Sequence, residues 1–231
     1  TKIIFGANKV AELAKLVPAT ATVLVLYGGA SAQKTGTLAE VKAALGERVV
    51  HEFGGIEPNP TYETLMKAVA QVRLEKIDFL LAVGGGSVID GTKFVAAAAC
   101  FDGEPWDILL KHGSNVTRAL PFGTVLTLPA TGSEMNAGSV VTRKATHAKL
   151  AFKSVLVFPQ FSVLDPTKTY TLPTRQIANG IADAFVHTVE QYLTYPVKGL
   201  AQDRFAEGLL QTLIEIAPKA LAEPEDYDTR A

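Results

Sequence analysis

Short unbroken apolar runs alternate with amphipathic stretches through most of the chain, and that alternation predicts its framework. Lys2–Phe5, Thr22–Tyr27, Val49–Phe53, residues 79–83 and residues 123–128 read as strands. Runs as uniformly apolar as Thr22–Tyr27 and 79–83 are the pattern of strands covered on both faces of a parallel sheet. Between them, residues 9–17, Thr37–Leu45, 62–75 and 88–100 read as helices. In the third of these Leu65, Val69 and Val72 fall at helical spacing, and Thr61 stands where an N-cap is needed. Repeated β-α order predicts a parallel sheet with right-handed crossovers, with ligands outside the carboxyl ends of its strands. Residues 105–113 and 115–121 read as loops, with Trp106 packing over an apolar surface. Residues 140–143 and 149–152 read as paired strands, and 155–158 and Phe161–Leu164 as strand pieces. From Pro173 onward the texture is helical, interrupted at Tyr195-Pro196 and Ala217-Pro218. The predicted fold class is a Rossmann-like α/β domain over residues 1–172, followed by the start of an all-helical domain over 173–231.

Two of the predicted strands end in glycine. Gly84, Gly85, Gly86 and Ser87 follow the fourth strand and open a helix, an order that lets backbone N–H groups approach a phosphate. The alternative is a merely tight strand–helix turn, and the spacing is not G-x-G-x-x-G. Gly28-Gly29-Ala30-Ser31 follows the second strand and offers backbone N–H groups, a hydroxyl and nearby Lys34, with no acid. That composition suits the 2′-phosphate of NADP better than the 2′-hydroxyl of NAD. Ser31 could equally serve as a helix N-cap, and the two uses are compatible. A cofactor spanning both turns is the natural expectation. After the strand at 123–128, the polar stretch Pro129–Gly138 offers Thr131, Ser133 and Asn136, beside Thr127, to a ligand, or else forms a simple hairpin loop. Lys149 either neutralises a pyrophosphate or is a solvated charge.

Composition narrows the partners. The 231 residues are 48% hydrophobic and 19% charged with a formal net charge of -1, which argues against a nucleic-acid or membrane-surface binder. No stretch of about 18 apolar residues predicts a membrane span, and the N-terminal residues do not resemble a signal peptide, so the expected location is the cytoplasm. Cys100 is alone, so no internal disulfide forms, and it is expected in the core.

In the helical part, Asp183 and His187 lie four residues apart, on one helix face and close enough to share a metal ion. Ile177, Ile181, Phe185, Thr188 and Tyr192 cluster on the opposite face. Periodicity alone therefore reads Asp183 and His187 as an exposed, weakly interacting pair. A catalytic metal needs further protein ligands, and His51, His112 and His147 all lie in the α/β part without partner spacing.

Together, Gly84-Gly85-Gly86-Ser87-Val88-Ile89-Asp90, the motif Leu128-Pro129-Ala130-Thr131-Gly132-Ser133-Glu134, Asp165-Pro166 and Gly180-x-x-Asp183-x-x-x-His187 resemble the iron-dependent (group III) alcohol dehydrogenase family. The segments 52–60 and 179–192 are similar to its branch of NADPH-dependent aldehyde reductases. The resemblance implies a metal- and NADP(H)-dependent reduction of aldehydes to primary alcohols, reversible in principle. It further implies that Gly85, Gly86, Ser87, Thr127, Thr131 and Lys149 contact the dinucleotide, and that Gly28, Gly29 and Ser31 surround the 2′-phosphate. By the same resemblance Asp90, Ser133 and Asn136 line the nicotinamide and substrate region, and Asp183 and His187 are the first two ligands of one divalent metal, Fe²⁺ or Zn²⁺. A homodimer formed partly through the N-terminal strand is also implied. Two further histidine ligands come from later helices in the family, and the sequence stops at Ala231 before them, so the end is expected to be a truncation. The alternatives are an NAD-linked polyol dehydrogenase of the same superfamily and a nucleotide-binding module without turnover.

Overall fold

A computed structural model describes residues 1–29, 31–195 and 198–231, with the side chain of Ser31 outside the described set. Six strands form one wholly parallel sheet in the order β1-β8-β5-β4-β2-β3. They are β1 (Lys2–Phe5), β2 (Thr22–Tyr27), β3 (Val49–Phe53), β4 (Phe79–Gly85), β5 (Phe122–Leu128) and β8 (Phe161–Leu164). Strands β6 (Gly138–Arg143) and β7 (Ala148–Lys153) form a separate antiparallel pair. The helices of this part are α1 (Leu13–Leu16, after a 3-10 turn), α2 (Ser31–Lys34), α3 (Thr37–Leu45), α4 (Tyr62–Leu74), α5 (Gly86–Ala99) and α6 (Trp106–Leu110).

Successive side chains of a strand point to opposite faces, and here both faces are apolar. Leu24, Leu26, Leu80 and Ala82 join one buried cluster with Leu65, Val69, Phe94 and Val95 of α4 and α5. Val23, Val25, Phe79, Leu81 and Val83 join another with Leu13 of α1 and Leu38, Val41 and Leu45 of α3. Strands buried on both sides explain the uninterrupted apolar runs in the sequence. At α4, Thr61 accepts a hydrogen bond from the Thr64 amide, a cap contributing about 1 kcal/mol. Strand β1 pairs with β8 inside the chain, Lys2 opposite Phe161, and lies at the edge of the sheet.

Four expectations are corrected. Residues 105–113 contain a helix, α6, because the Glu104 carboxylate accepts from the Trp106 amide and Trp106, Ile108 and Leu109 are buried. Trp106 packs edge-on against Tyr62, 5.3 Å between ring centroids. Residues 155–157 form a 3-10 turn and no strand, since Ser154 Oγ accepts from the Leu156 amide and turns the chain. Cys100 is only half-buried, at the end of α5. Pro218 lies inside α8 (Leu200–Ala222) and does not interrupt it; it removes one ladder bond, yet the helix runs on to Ala222.

The chain forms two compact units, residues 1–165 and 166–231. The second consists of α7 (Thr174–Tyr192), α8 and α9 (Tyr227–Arg230), with α7 and α8 packed together. Among the described residues, no helix is long and apolar enough to cross a membrane. The expected break at Tyr195-Pro196 involves Pro196, which lies outside the described residues.

The closeness of β5 to β8 gives a test of the packing. A Cβ at Gly123 would overlap the ring of Phe161. Gly123→Ala is therefore expected to lower the free energy of unfolding by about 1–3 kcal/mol through overpacking. Urea unfolding measures it; an unchanged midpoint would mean that the ring moves aside at no cost.

Candidate active site

Strand order reverses between β2 and β4. The chain steps from β2 outward to β3, then crosses to β4 on the other side of β2 and continues toward β5. This is the topological switch point, where α/β sheets open a crevice beyond their carboxyl ends. Tyr27 and Val83 are register partners there, so the two glycine runs leave the sheet side by side.

The run at the end of β4 is packed too tightly for side chains. A Cβ on Gly84 would lie 2.6 Å from Val88 Cγ2, and one on Gly86 would run into the Thr131 hydroxyl. Gly85 meets the Leu128 side chain and carbonyl at 3.3 Å. Helix α5 starts at Gly86 with no acidic residue in its first turn, so its free N–H groups and positive dipole end are not neutralised locally. Ser87 Oγ accepts from the Asn59 amide at 3.3 Å, and Lys149 Nζ donates to Asn59 Oδ1 at 2.7 Å. The loop at 54–60 thus joins Ser87 and Lys149 through one asparagine. The same loop seals the end of β2, where Gly55 and Ile56 amides donate to the carbonyls of Gly28 and Tyr27 at 2.8 and 3.2 Å. Gly28 is confined by the Ile56 carbonyl, whereas Gly29 has nothing within 4 Å of a Cβ position.

The stretch after β5 curls back over α5. Thr127 is half-buried near the end of β5, and Thr131 is exposed against Gly86. Ser133 is buried in a 3-10 turn, and its hydroxyl donates to Asp90 Oδ1 at 2.5 Å. The Val140 amide donates to Asp90 Oδ2 at 3.0 Å. Burial pushes the Asp90 carboxyl above its ordinary range, opposed by the Ser133 and Val140 hydrogen bonds and by the nearby charge of Lys93. Asp90, Ser133 and Asn136 are therefore brought together, with a fourth member that the sequence reading did not single out. Lys93 is fully buried, and its ammonium donates to Ser133 Oγ, Asn136 Oδ1 and the Gly138 carbonyl at 2.9, 2.9 and 2.8 Å. The available signal was a single cation inside the apolar run 88–100.

In the second unit, Asp183 and His187 face the same way on α7, with Oδ1 and Nε2 3.7 Å apart and both side chains at least half exposed. Ile177 is buried, and Ile181, Phe185 and Thr188 are half-buried, so the apolar stripe lies on the other side. A carboxylate and an imidazole are a fitting donor pair for Fe²⁺ or Zn²⁺. Among the described residues, no group of three or more His, Cys, Asp or Glu side chains could hold a metal ion. The pair accordingly has the chemistry of two ligands and the geometry of an open half-site. Ser31 begins α2 beyond the second glycine run, but its side chain lies outside the described set.

Burial pushes the Lys93 ammonium down to about 8 from 10.5, against the raising influence of Asp90 and Glu134. Below pH 8 the lysine is charged in both folded and unfolded chains, and its burial penalty is fully present. Between pH 8 and 10.5 the folded chain gives up this proton while the unfolded chain keeps it, so stability from this group rises with pH. Relative to Lys93→Met, the parent is expected to gain roughly 3 kcal/mol across that window. Denaturant unfolding at a series of pH values reads the difference; a flat difference would contradict it.

Comparison with known proteins identifies the family. A family model described as iron-containing alcohol dehydrogenase matches residues 1–166. The chain is 61% identical to the NADPH-dependent aldehyde reductase YqhD of Escherichia coli (strain K12), over all of this chain and 60% of that protein. It is 48% identical to a probable NADH-dependent butanol dehydrogenase 1 of Bacillus subtilis (strain 168), with the same coverage. Among solved structures, the substrate- and cofactor-free form of E. coli YqhD superposes with a TM-score of 0.94 at 59% identity, covering all of this chain and 60% of that one. An NADH-dependent butanol dehydrogenase A from Thermotoga maritima gives 0.90 at 34% identity, covering all of this chain and 58% of that one. The chain thus spans about 60% of the length of these relatives. With matches across the whole sheet and the glycine turns at its switch point, the chain belongs to the iron-containing alcohol dehydrogenase family.

Proposed function

We propose that this chain carries the dinucleotide site and two metal ligands of an NADPH- and metal-dependent enzyme that reduces aldehydes to primary alcohols. The observation that carries the reading is the pair of glycine turns, after β2 and after β4, side by side at the switch point. One turn opens helix α5 and suits a pyrophosphate; the other is acid-free and suits a 2′-phosphate. In this reading Gly85, Gly86, Ser87, Thr127, Thr131 and Lys149 hold the dinucleotide, and Gly28, Gly29 and Ser31 surround its 2′-phosphate. Asp90, Ser133 and Asn136 line the nicotinamide and substrate region. The name of the E. coli relative supports NADPH and an aldehyde; the name of the Bacillus relative supports NADH as the alternative cofactor, with butanol.

Asp183 and His187 would hold one Fe²⁺ or Zn²⁺ together with ligands from outside the described residues. When bound, the nicotinamide supplies hydride and the metal supplies Lewis-acid polarisation of a carbonyl oxygen. The chain's own contribution on the nucleotide side is positional. Backbone N–H groups meet the phosphates where no Cβ intrudes, and Asn59 steadies Ser87 and Lys149 together. The homodimer is proposed through β1, whose edge position exposes Ile3 and Phe5. A competing reading is a nucleotide-binding module without turnover. Metal-dependent oxidation of NADPH by butanal, assayed on the gene's complete product, separates the two: no such oxidation sinks the reductase.

Cofactor choice has a sharper test, because Gly29 has open space for a side chain. Gly29→Asp would set a carboxylate against the 2′-phosphate and offer an acceptor to a 2′-hydroxyl. In a fluorescence titration the parent chain is expected to prefer NADPH, and the variant to lose about tenfold or more of that affinity while gaining for NADH. An unmoved preference would show that the 2′-phosphate lies elsewhere.

A further inference from the structure

Lys93 is a buried cation that the proposed chemistry does not use. Its three N–H donors are all taken, by Ser133 Oγ, Asn136 Oδ1 and the Gly138 carbonyl, so none remains for a ligand. Its presence nevertheless dictates how its neighbours are oriented. An ammonium can only donate and an ionised carboxylate can only accept. Ser133 lies between Lys93 and Asp90, so its hydroxyl accepts from the first and gives its single proton to the second. The Asn136 amide is fixed in the same way. Its oxygen must face the ammonium, and there it also accepts from the Gly138 amide at 2.9 Å. Nδ2 is thereby turned to the Thr131 carbonyl side, at 3.5 Å, and Thr131 is the residue against Gly86 in the glycine turn.

We propose that Lys93 is a positioning residue that sets the donor–acceptor polarity of the 131–138 loop, so that Asn136 presents N–H and not C=O on the side of the glycine turn. This rests on the reading of that turn as the dinucleotide site. The ligand class it selects is an acceptor, a carbonyl oxygen such as that of a carboxamide or an aldehyde. Without the ammonium, only the Gly138 amide and the long contact to the Thr131 carbonyl still orient the Asn136 side chain, and the Gly138 amide loses an acceptor held in place by a charge. The ammonium also offsets the burial of the Asp90 carboxyl, but all three of its hydrogen bonds go to the 131–138 loop, which neither packing nor charge balance requires.

Lys93→Met is the test, read in three ways. Amide hydrogen exchange at Gly138 is expected to speed up about tenfold or more, while amides of β4 keep their protection. The thermal midpoint should stay within about 5 °C of the parent's, and NADPH affinity should fall about tenfold. A lower midpoint with unchanged affinity and unchanged Gly138 protection would overturn the proposal and make Lys93 structural. If the variant does not fold, the parent alone decides: Gly138 should exchange about a hundredfold more slowly than an unstructured amide, and exchange at the unstructured rate overturns the clamp. A parent chain that binds no NADPH would count against the dinucleotide reading itself, whereas the exchange measurement would still judge the Lys93 clamp.

Discussion

The missing side chains at Gly84 and Gly86 are the constraint on which the site depends. Where β4 passes into α5 the backbone lies so close to Val88 at Gly84 and to Thr131 at Gly86 that a Cβ has no room at either position. That closeness has two consequences. It brings the amide end of a fourteen-residue helix to the end of a central strand, and it docks the loop after β5 directly against the turn. A larger residue would push the loop away and fill the space where a phosphate could approach backbone N–H groups. The sheet supplies the second half of the arrangement by placing β2 beside β4 at the switch point.

Above that turn the structure is held by polar groups whose directions are forced. Lys93, Ser133, Asn136 and Asp90 form a network in which each hydrogen bond has one possible sense. On the other flank, Asn59 links Ser87 to Lys149, while the 54–60 loop caps the end of β2. The site is thus walled by three loops, each tied down by its own contacts. Tied loops suit a site that binds by presenting fixed donors, because less ordering entropy is lost on binding. The pair on α7 contrasts with this. Asp183 and His187 stand in solvent, their relation set only by helix spacing.

The framework was legible because strands covered on both faces must be apolar at every position. Thr22–Tyr27 and residues 79–83 therefore announce themselves, and the glycines after them mark the turns. Short elements decided by local capping were not legible: α6 depends on the Glu104 carboxylate reaching the Trp106 amide, and the 155–157 turn on Ser154. Lys93 was missed for a different reason. Its partners lie 40 to 45 residues along the chain, so no local spacing reveals them. The helix face bearing Asp183 and His187 was legible from periodicity, whereas their service to a metal rests on family likeness and donor chemistry.

The central claim is that the two glycine turns hold two parts of one NADPH, its pyrophosphate and its 2′-phosphate. Amide chemical-shift mapping on the isotopically labelled chain tests it most directly. Adding NADPH should move the resonances of Gly28, Gly29, Gly85, Gly86, Ser87 and Thr131 together along one saturation curve, with NADH perturbing the Gly28–Gly29 pair less. Shifts at only one of the two turns, or a largest response elsewhere in the chain, would contradict the account.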